Sequence, residues 1–106
     1  MTLPEPSNVL TLEGPIDLHV SPQVASALGA ILESQPVRVV VDLSAVNYID
    51  SSGLAVLIRG AQQVESYGGR LMLANVQEDV CSILETARVA EFFVIFPHVD
   101  AALAAI

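Results

Sequence analysis

The stretch Val39-Val-Val-Asp-Leu-Ser-Ala-Val-Asn-Tyr-Ile-Asp-Ser-Ser-Gly-Leu-Ala-Val-Leu57 contains the change of period that decides the fold. Its first part belongs to the run Val37 to Leu43, β-branched and nearly continuous in apolar character, which predicts a central strand covered on both faces. After a connection through Ser44 to Asp50, residues Ser52 to Tyr67 place Leu54, Leu57, Ile58, Ala61 and Val64 on one stripe. Arg59, Gln62, Gln63 and Ser66 fall on the other side, as in an amphipathic helix. A buried strand thus feeds an acidic residue, two serines and a glycine into a helix, and a hydroxyl is presented at the helix mouth.

The rest of the chain repeats the alternation. Upstream, Val9 to Leu12 reads as a short strand closed by Gly14-Pro15, and Ile16 to Val20 as a second short strand after that break. Ser21-Pro22 is a helix-start signal, with the serine oxygen placed to cap. The helix then runs to about Glu33, with Val24, Leu28, Ile31 and Leu32 inward. Downstream, Gly68-Gly69 ends the long helix and Arg70 to Ala74 begins a strand. Val80, Ile83, Leu84 and Ala87 mark a third helix, Phe92 to Phe96 a last strand, and Val99, Ala102, Leu103 and Ile106 a terminal helix. Strands alternating with helices across short connections predict an α/β class with a mostly parallel sheet. Residues 1–8, with two prolines and no periodicity, read as a loose N-terminal segment before a single domain over 9–106.

Composition narrows the partners. The 106 residues are 53% hydrophobic, enough for one core, and carry 12 acidic residues against 4 arginines and no lysine. Such a surface repels phosphate backbones and anionic lipid headgroups, so neither direct nucleic-acid binding nor membrane insertion is expected. The longest apolar runs, Leu54 to Ile58, Phe92 to Phe96 and Ala101 to Ile106, fall far short of the roughly 20 residues of a membrane span. The start of the chain lacks the features of a secretion signal and the lone Cys81 has no disulfide partner, which fits a cytoplasmic protein. Cys81, beside core positions of the third helix, reads as a small hydrophobe. His19 and His98 lie far apart and from Cys81, so no metal is expected. No phosphate-cradling glycine loop with lysine is present, and no cofactor is expected.

Three readings of Ser51 and Ser52 compete on the residues alone. Either hydroxyl can cap the helix that follows, a structural role worth about 1 kcal/mol. A serine nucleophile is a second reading, but the Gly-x-Ser-x-Gly elbow is missing and neither histidine is obviously placed as a base. The third is a phospho-acceptor, since a helix N-terminus partly stabilises an added phosphate. Gly53 leaves the backbone open to close approach by another molecule. Asp42 ends the strand and is placed to bond loop amides, Phe92, Phe93 and Phe96 read as core, and Arg59 and Gln62 lie on a face that is either solvated or read by a partner.

From Asp42 through Leu54 the chain reads Asp-Leu-Ser-Ala-Val-Asn-Tyr-Ile-Asp-Ser-Ser-Gly-Leu, which resembles the signature of STAS domains, specifically the bacterial anti-sigma factor antagonists. The likeness extends to Gly68-Gly69-Arg-Leu and back to Gly14-Pro-Ile-Asp17, similar to the family's Gly-Glu-Leu-Asp turn. Pro15 stands where the family usually has glutamate, and Arg88 where a glycine commonly ends the third helix. The resemblance implies a small mixed sheet with four helices and an antiparallel pairing of the first strand. It implies no enzyme but a phosphoprotein of a partner-switching pathway that regulates transcription. The first serine of Asp-Ser-Ser-Gly, here Ser51, would be phosphorylated by an anti-sigma factor with serine kinase activity and restored by a serine phosphatase. Asp17 would lie near that serine and Asp50 before it, and the likeness favours partner contact for Arg59 and Gln62; Ser52 and Gly53 are expected on the same partner-binding surface from their own place at the helix mouth. The alternative within the family is a scaffold or regulatory STAS subunit of a stress complex or lipid transporter, in which the serine is silent.

Overall fold

The computed structural model describes residues 8–105. The strands are β1 (Val9–Glu13), β2 (Arg38–Ala45), β3 (Arg70–Ala74) and β4 (Val94–Phe96); the helices are α1 (Ser21–Leu32), α2 (Ser51–Ser66), α3 (Glu78–Thr86) and α4 (Val99–Ala104). A 3₁₀ turn, Ala90–Phe92, leads into β4. The sheet has the order β1-β2-β3-β4, and every described pairing is parallel, with Val9 opposite Val40, Val39 opposite Leu71 and Met72 opposite Val94. The α/β class is as expected. The antiparallel pairing of the first strand is not found in β1, which runs parallel to β2. All but one of residues 1–8, the expected loose segment, and the terminal Ile106 lie outside the described residues.

Alternation along the strands sorts the core into two layers. Val39, Val41 and Leu43 of β2 and Leu71 and Leu73 of β3 face α1, α2 and α3, where they meet Val24, Leu28 and Leu32, Leu54, Leu57, Ala61 and Val64, and Val80 and Leu84. Val40, Met72 and Ala74 face the other way, onto Ala102 of α4 with Val94 and Phe96 beside it. This is why β2 reads as apolar without alternation: both of its faces are covered. Gly68 at φ +93° turns the chain after α2, a left-handed backbone that costs glycine little, and Arg70 N–H then donates to the Val37 carbonyl to start β3.

Three local expectations are corrected. Ile16 to Val20 is not a strand: Ile16 makes one parallel bridge to Ile49, and the next residues turn, because the Asp17 side chain accepts the His19 and Val20 amides at 3.0 and 3.3 Å. Ser21 does not cap α1. The helix starts from Val20 in a helical backbone conformation, and the Ser21 amide bonds the Asp17 carbonyl at 2.8 Å, so the turn does the work assigned to the hydroxyl. Phe92 belongs to the 3₁₀ turn and is exposed, whereas Phe93 is buried and Phe96 packs against the α4 layer.

Candidate functional site

The site is built where the C-terminal end of β2 meets the start of α2. Beyond β1 and β2 the chains stay side by side: Gly14 N–H donates to the Ala45 carbonyl, Ile16 N–H to the Tyr48 carbonyl, and Asp50 N–H to the Ile16 carbonyl, at 2.9, 2.9 and 3.0 Å. Ile16 and Ile49 are both fully buried. Their burial fixes the Asp17 turn against the residues entering α2, although the two segments are more than 30 positions apart in sequence.

Asp50, not Ser51, caps α2. One carboxylate oxygen, Oδ1, accepts the Ser52 and Gly53 amides at 2.9 and 3.1 Å and the Ser52 hydroxyl at 2.5 Å. The Ser52 hydroxyl, then the Gly53 amide, hold this carboxyl below the usual carboxylate range against an opposing effect of burial, and the Ser52 and Leu18 amides add to the lowering. Asp50 is therefore a carboxylate at neutral pH. Ser52 is committed to it and half-buried, while Ser51 takes the first position of the helix and is exposed. The two serines that the sequence leaves equivalent are made different by one cap.

Gly53 is buried, and its role is internal. A Cβ there would stand 2.7 Å from Ile16 Cγ2, 2.7 Å from Ile49 Cγ1 and 3.0 Å from the Ile16 carbonyl. The glycine admits the Ile16 segment, so its expected place on a partner surface is not supported by exposure. Asp42 bonds the loop as expected, Oδ1 accepting from the Ser44 amide at 3.0 Å and the Asn75 side chain at 3.1 Å. Burial opposes its charge, but the bonds from Asn75 and Ser44 prevail and its pKa is lowered.

Asp17, Asp50, Ser51 and Ser52 are thus gathered at one end of the sheet. Arg59 and Gln62 are exposed two to three turns along α2. Helical geometry puts Gln62 about 20° from the Ser51 stripe and Arg59 about 80° from it. Arg59 lines a shallow groove between α1 and α2 with Leu28 and Leu32. Two exposed apolar residues escaped the sequence reading: Leu18, 70% exposed on the Asp17 turn, and Tyr48, 47% exposed on the loop before α2. Their only sequence signal is position, each flanking a motif, and Leu18 was hidden by its assignment to a strand.

Residues 1–102 match the family model described as STAS domain. The chain belongs to the STAS domain family. A Bordetella bronchiseptica protein named as an anti-sigma factor antagonist, BtrV, is 30% identical over 89 residues, 84% of this chain and 74% of that protein. The crystal structure of an anti-sigma factor antagonist from Mycobacterium paratuberculosis superposes with a TM-score of 0.82 at 26% identity, covering 92% of this chain and 83% of the other. The STAS domain of a SulP transporter from Vibrio cholerae has the same fold, with a TM-score of 0.73 at 24% identity over 97% of this STAS chain and 82% of its own. Among the described residues no helix is long and apolar enough to cross a membrane, and no cluster of metal-ligating side chains is found.

Proposed function

We propose that this STAS domain is an anti-sigma factor antagonist of a partner-switching pathway, with Ser51 as its phosphorylation site. The observation that carries the reading is the division of labour at the start of α2. Asp50 caps the helix and holds Ser52, which leaves the Ser51 hydroxyl exposed at the first helical position. A hydroxyl kept only for capping would be found on the cap.

In the unphosphorylated state the Asp17 turn and the α2 start dock on an anti-sigma factor with serine kinase activity, and Leu18 and Tyr48 supply exposed apolar contact area beside the serine. Phosphorylation adds about 1.5 to 2 negative charges at Ser51. A helix N-terminus would ordinarily soften that charge, but the Ser52 and Gly53 amides already bond Asp50. The dianion therefore stands beside an ionised carboxylate on a chain of net charge −8, and burying it against a partner becomes costly. The complex separates, and a serine phosphatase restores the binding form. The chain acts as a cytoplasmic binding module and not as an enzyme.

Binding of the chain to a kinase-type anti-sigma factor from the same organism, measured by calorimetry, tests this. Ser51→Ala keeps the parent affinity and Ser51→Asp weakens it by tenfold or more; equal affinity for Ser51→Asp overturns the electrostatic switch. The fold shared with a transporter's STAS domain favours one second reading, a regulatory subunit in which Ser51 is silent. Co-purification with a transporter, unaffected by Ser51→Asp, would establish that instead.

A further inference from the structure

At the opposite end of the sheet β2 and β3 begin with Arg38 and Arg70, which are register partners in the parallel pair. Partners in register share a face, and two-residue alternation from Val40 and Met72 puts both arginines on the α4 side. Two of the 4 arginines in a chain with 12 acidic residues thus stand side by side and exposed. Like charges directly opposite on neighbouring strands are destabilising unless something of opposite sign joins them.

Part of that need is met at home. Arg38 Nη1 donates to the Leu103 carbonyl at 2.7 Å, near the C-terminus of α4, where free helix carbonyls attract a cation. This bond uses one of five donors on that guanidinium and steadies it; among the described residues the remaining donors, and those of Arg70, meet no carboxylate. The two side chains rim a groove of about 420 Å³ whose wall is formed by Met72, Val94, Phe96 and Ala105. Planar guanidinium forks match the paired oxygens of a carboxylate or phosphate, and the wall beside them is apolar.

We propose that this groove binds a small oxyanion carried on an apolar body, a carboxylate or phosphate monoester, held by Arg38 and Arg70 with its apolar part against Met72, Val94 and Phe96. The seven residue steps of β2 from Arg38 to Ala45 span about 23 Å, so the groove is separate from Ser51. Ligand and protein partner can be bound together, and the proposal stands whether or not Ser51 is phosphorylated.

The test is a titration of the full chain with phenyl phosphate, followed by amide NMR. Saturable shifts are expected at Gly68, Gly69, Arg70 and Ala105, with Ser51 to Gly53 unmoved. Benzoate moves the same amides, and its strength relative to phenyl phosphate tells which oxyanion the groove prefers; phenol, without the charge, moves none. Inorganic phosphate binds about tenfold more weakly for want of the apolar part. Arg70→Gln weakens phenyl phosphate by about tenfold or more, the loss of a charge-assisted contact, and Arg70→Lys falls between because it keeps charge without the fork. An unchanged spectrum confirms that both variants are folded. Shifts that never saturate, equal binding of inorganic phosphate, or undiminished binding to Arg70→Gln in a folded chain would each overturn the proposal.

Discussion

Replacing Gly53 by alanine should destabilise the chain even though it places a better helix former in a helix. In an unencumbered helix the change stabilises by about 0.8–1 kcal/mol. Here the new Cβ would lie 2.7 Å from two isoleucine side-chain atoms and 3.0 Å from the Ile16 carbonyl. Ile16 and Ile49 are fully buried and bridged to one another, and the Ile16 carbonyl already accepts the Asp50 amide, so none of the three can retreat freely. Overpacking of this kind costs about 1–3 kcal/mol. With backbone as well as side chain in the way, the upper part of that range applies, and the net loss is about 1–2 kcal/mol. For a domain of this size the thermal midpoint falls by about 5–10 °C. Gly29 is the control: it is exposed on α1 with nothing within 4 Å of a Cβ, so Gly29→Ala collects the helical gain alone and raises the midpoint. Thermal unfolding followed by circular dichroism decides the matter. A Gly53→Ala protein as stable as Gly29→Ala would refute the claim that α2 is closed against the Ile16 segment.

Arg88 has φ +60° at the end of α3, where glycine would carry no penalty; Arg88→Gly should stabilise by about 0.5–1 kcal/mol, read as an increase in the urea midpoint. The carboxyls of Asp42 and Asp50 are both held below their ordinary value in the folded chain. Each therefore adds stability that is fully present above the unfolded pKa, about 3.9, and is lost as pH falls through the folded value. Urea midpoints between pH 7 and pH 3 should show that loss beginning near pH 4, and Asp50→Asn should flatten it; an equally steep acid limb in that variant would contradict the cap's charge. Leu57→Ala removes a fully buried side chain facing the sheet and should cost about 2–5 kcal/mol in equilibrium unfolding.

What could be read in the sequence followed from period. The run of valines in β2 and the three-four spacing of α2 each correspond to one buried surface, so their places and the position of the serines between them were legible. Details set by contacts distant in sequence were not. Asp50, Ser51 and Ser52 are all good capping residues in succession, and only the backbone path, fixed by the Asp50 amide on the Ile16 carbonyl, chooses the aspartate. The same long-range pairing explains why Ile16 to Val20 looks like a strand: Ile16 is apolar because it is buried beside Ile49, while Asp17 bends the next residues. Gly53 looked like an opening because glycine marks close approach, and its pattern does not say whether the approaching backbone belongs to another molecule or to this one. The direction of β1 is likewise a property of connection and not of composition. Phe92 and Phe93 are adjacent and chemically identical, and the 3₁₀ turn alone exposes one and buries the other.

The central claim is that the cap divides the two serines, holding Ser52 and offering Ser51. Incubation with a serine-kinase anti-sigma factor from the same organism and ATP, followed by fragment mass spectrometry, tests it most directly. The account predicts a single phosphate, on Ser51. A phosphate on Ser52, or none on either serine with a kinase shown active on another substrate, would contradict it.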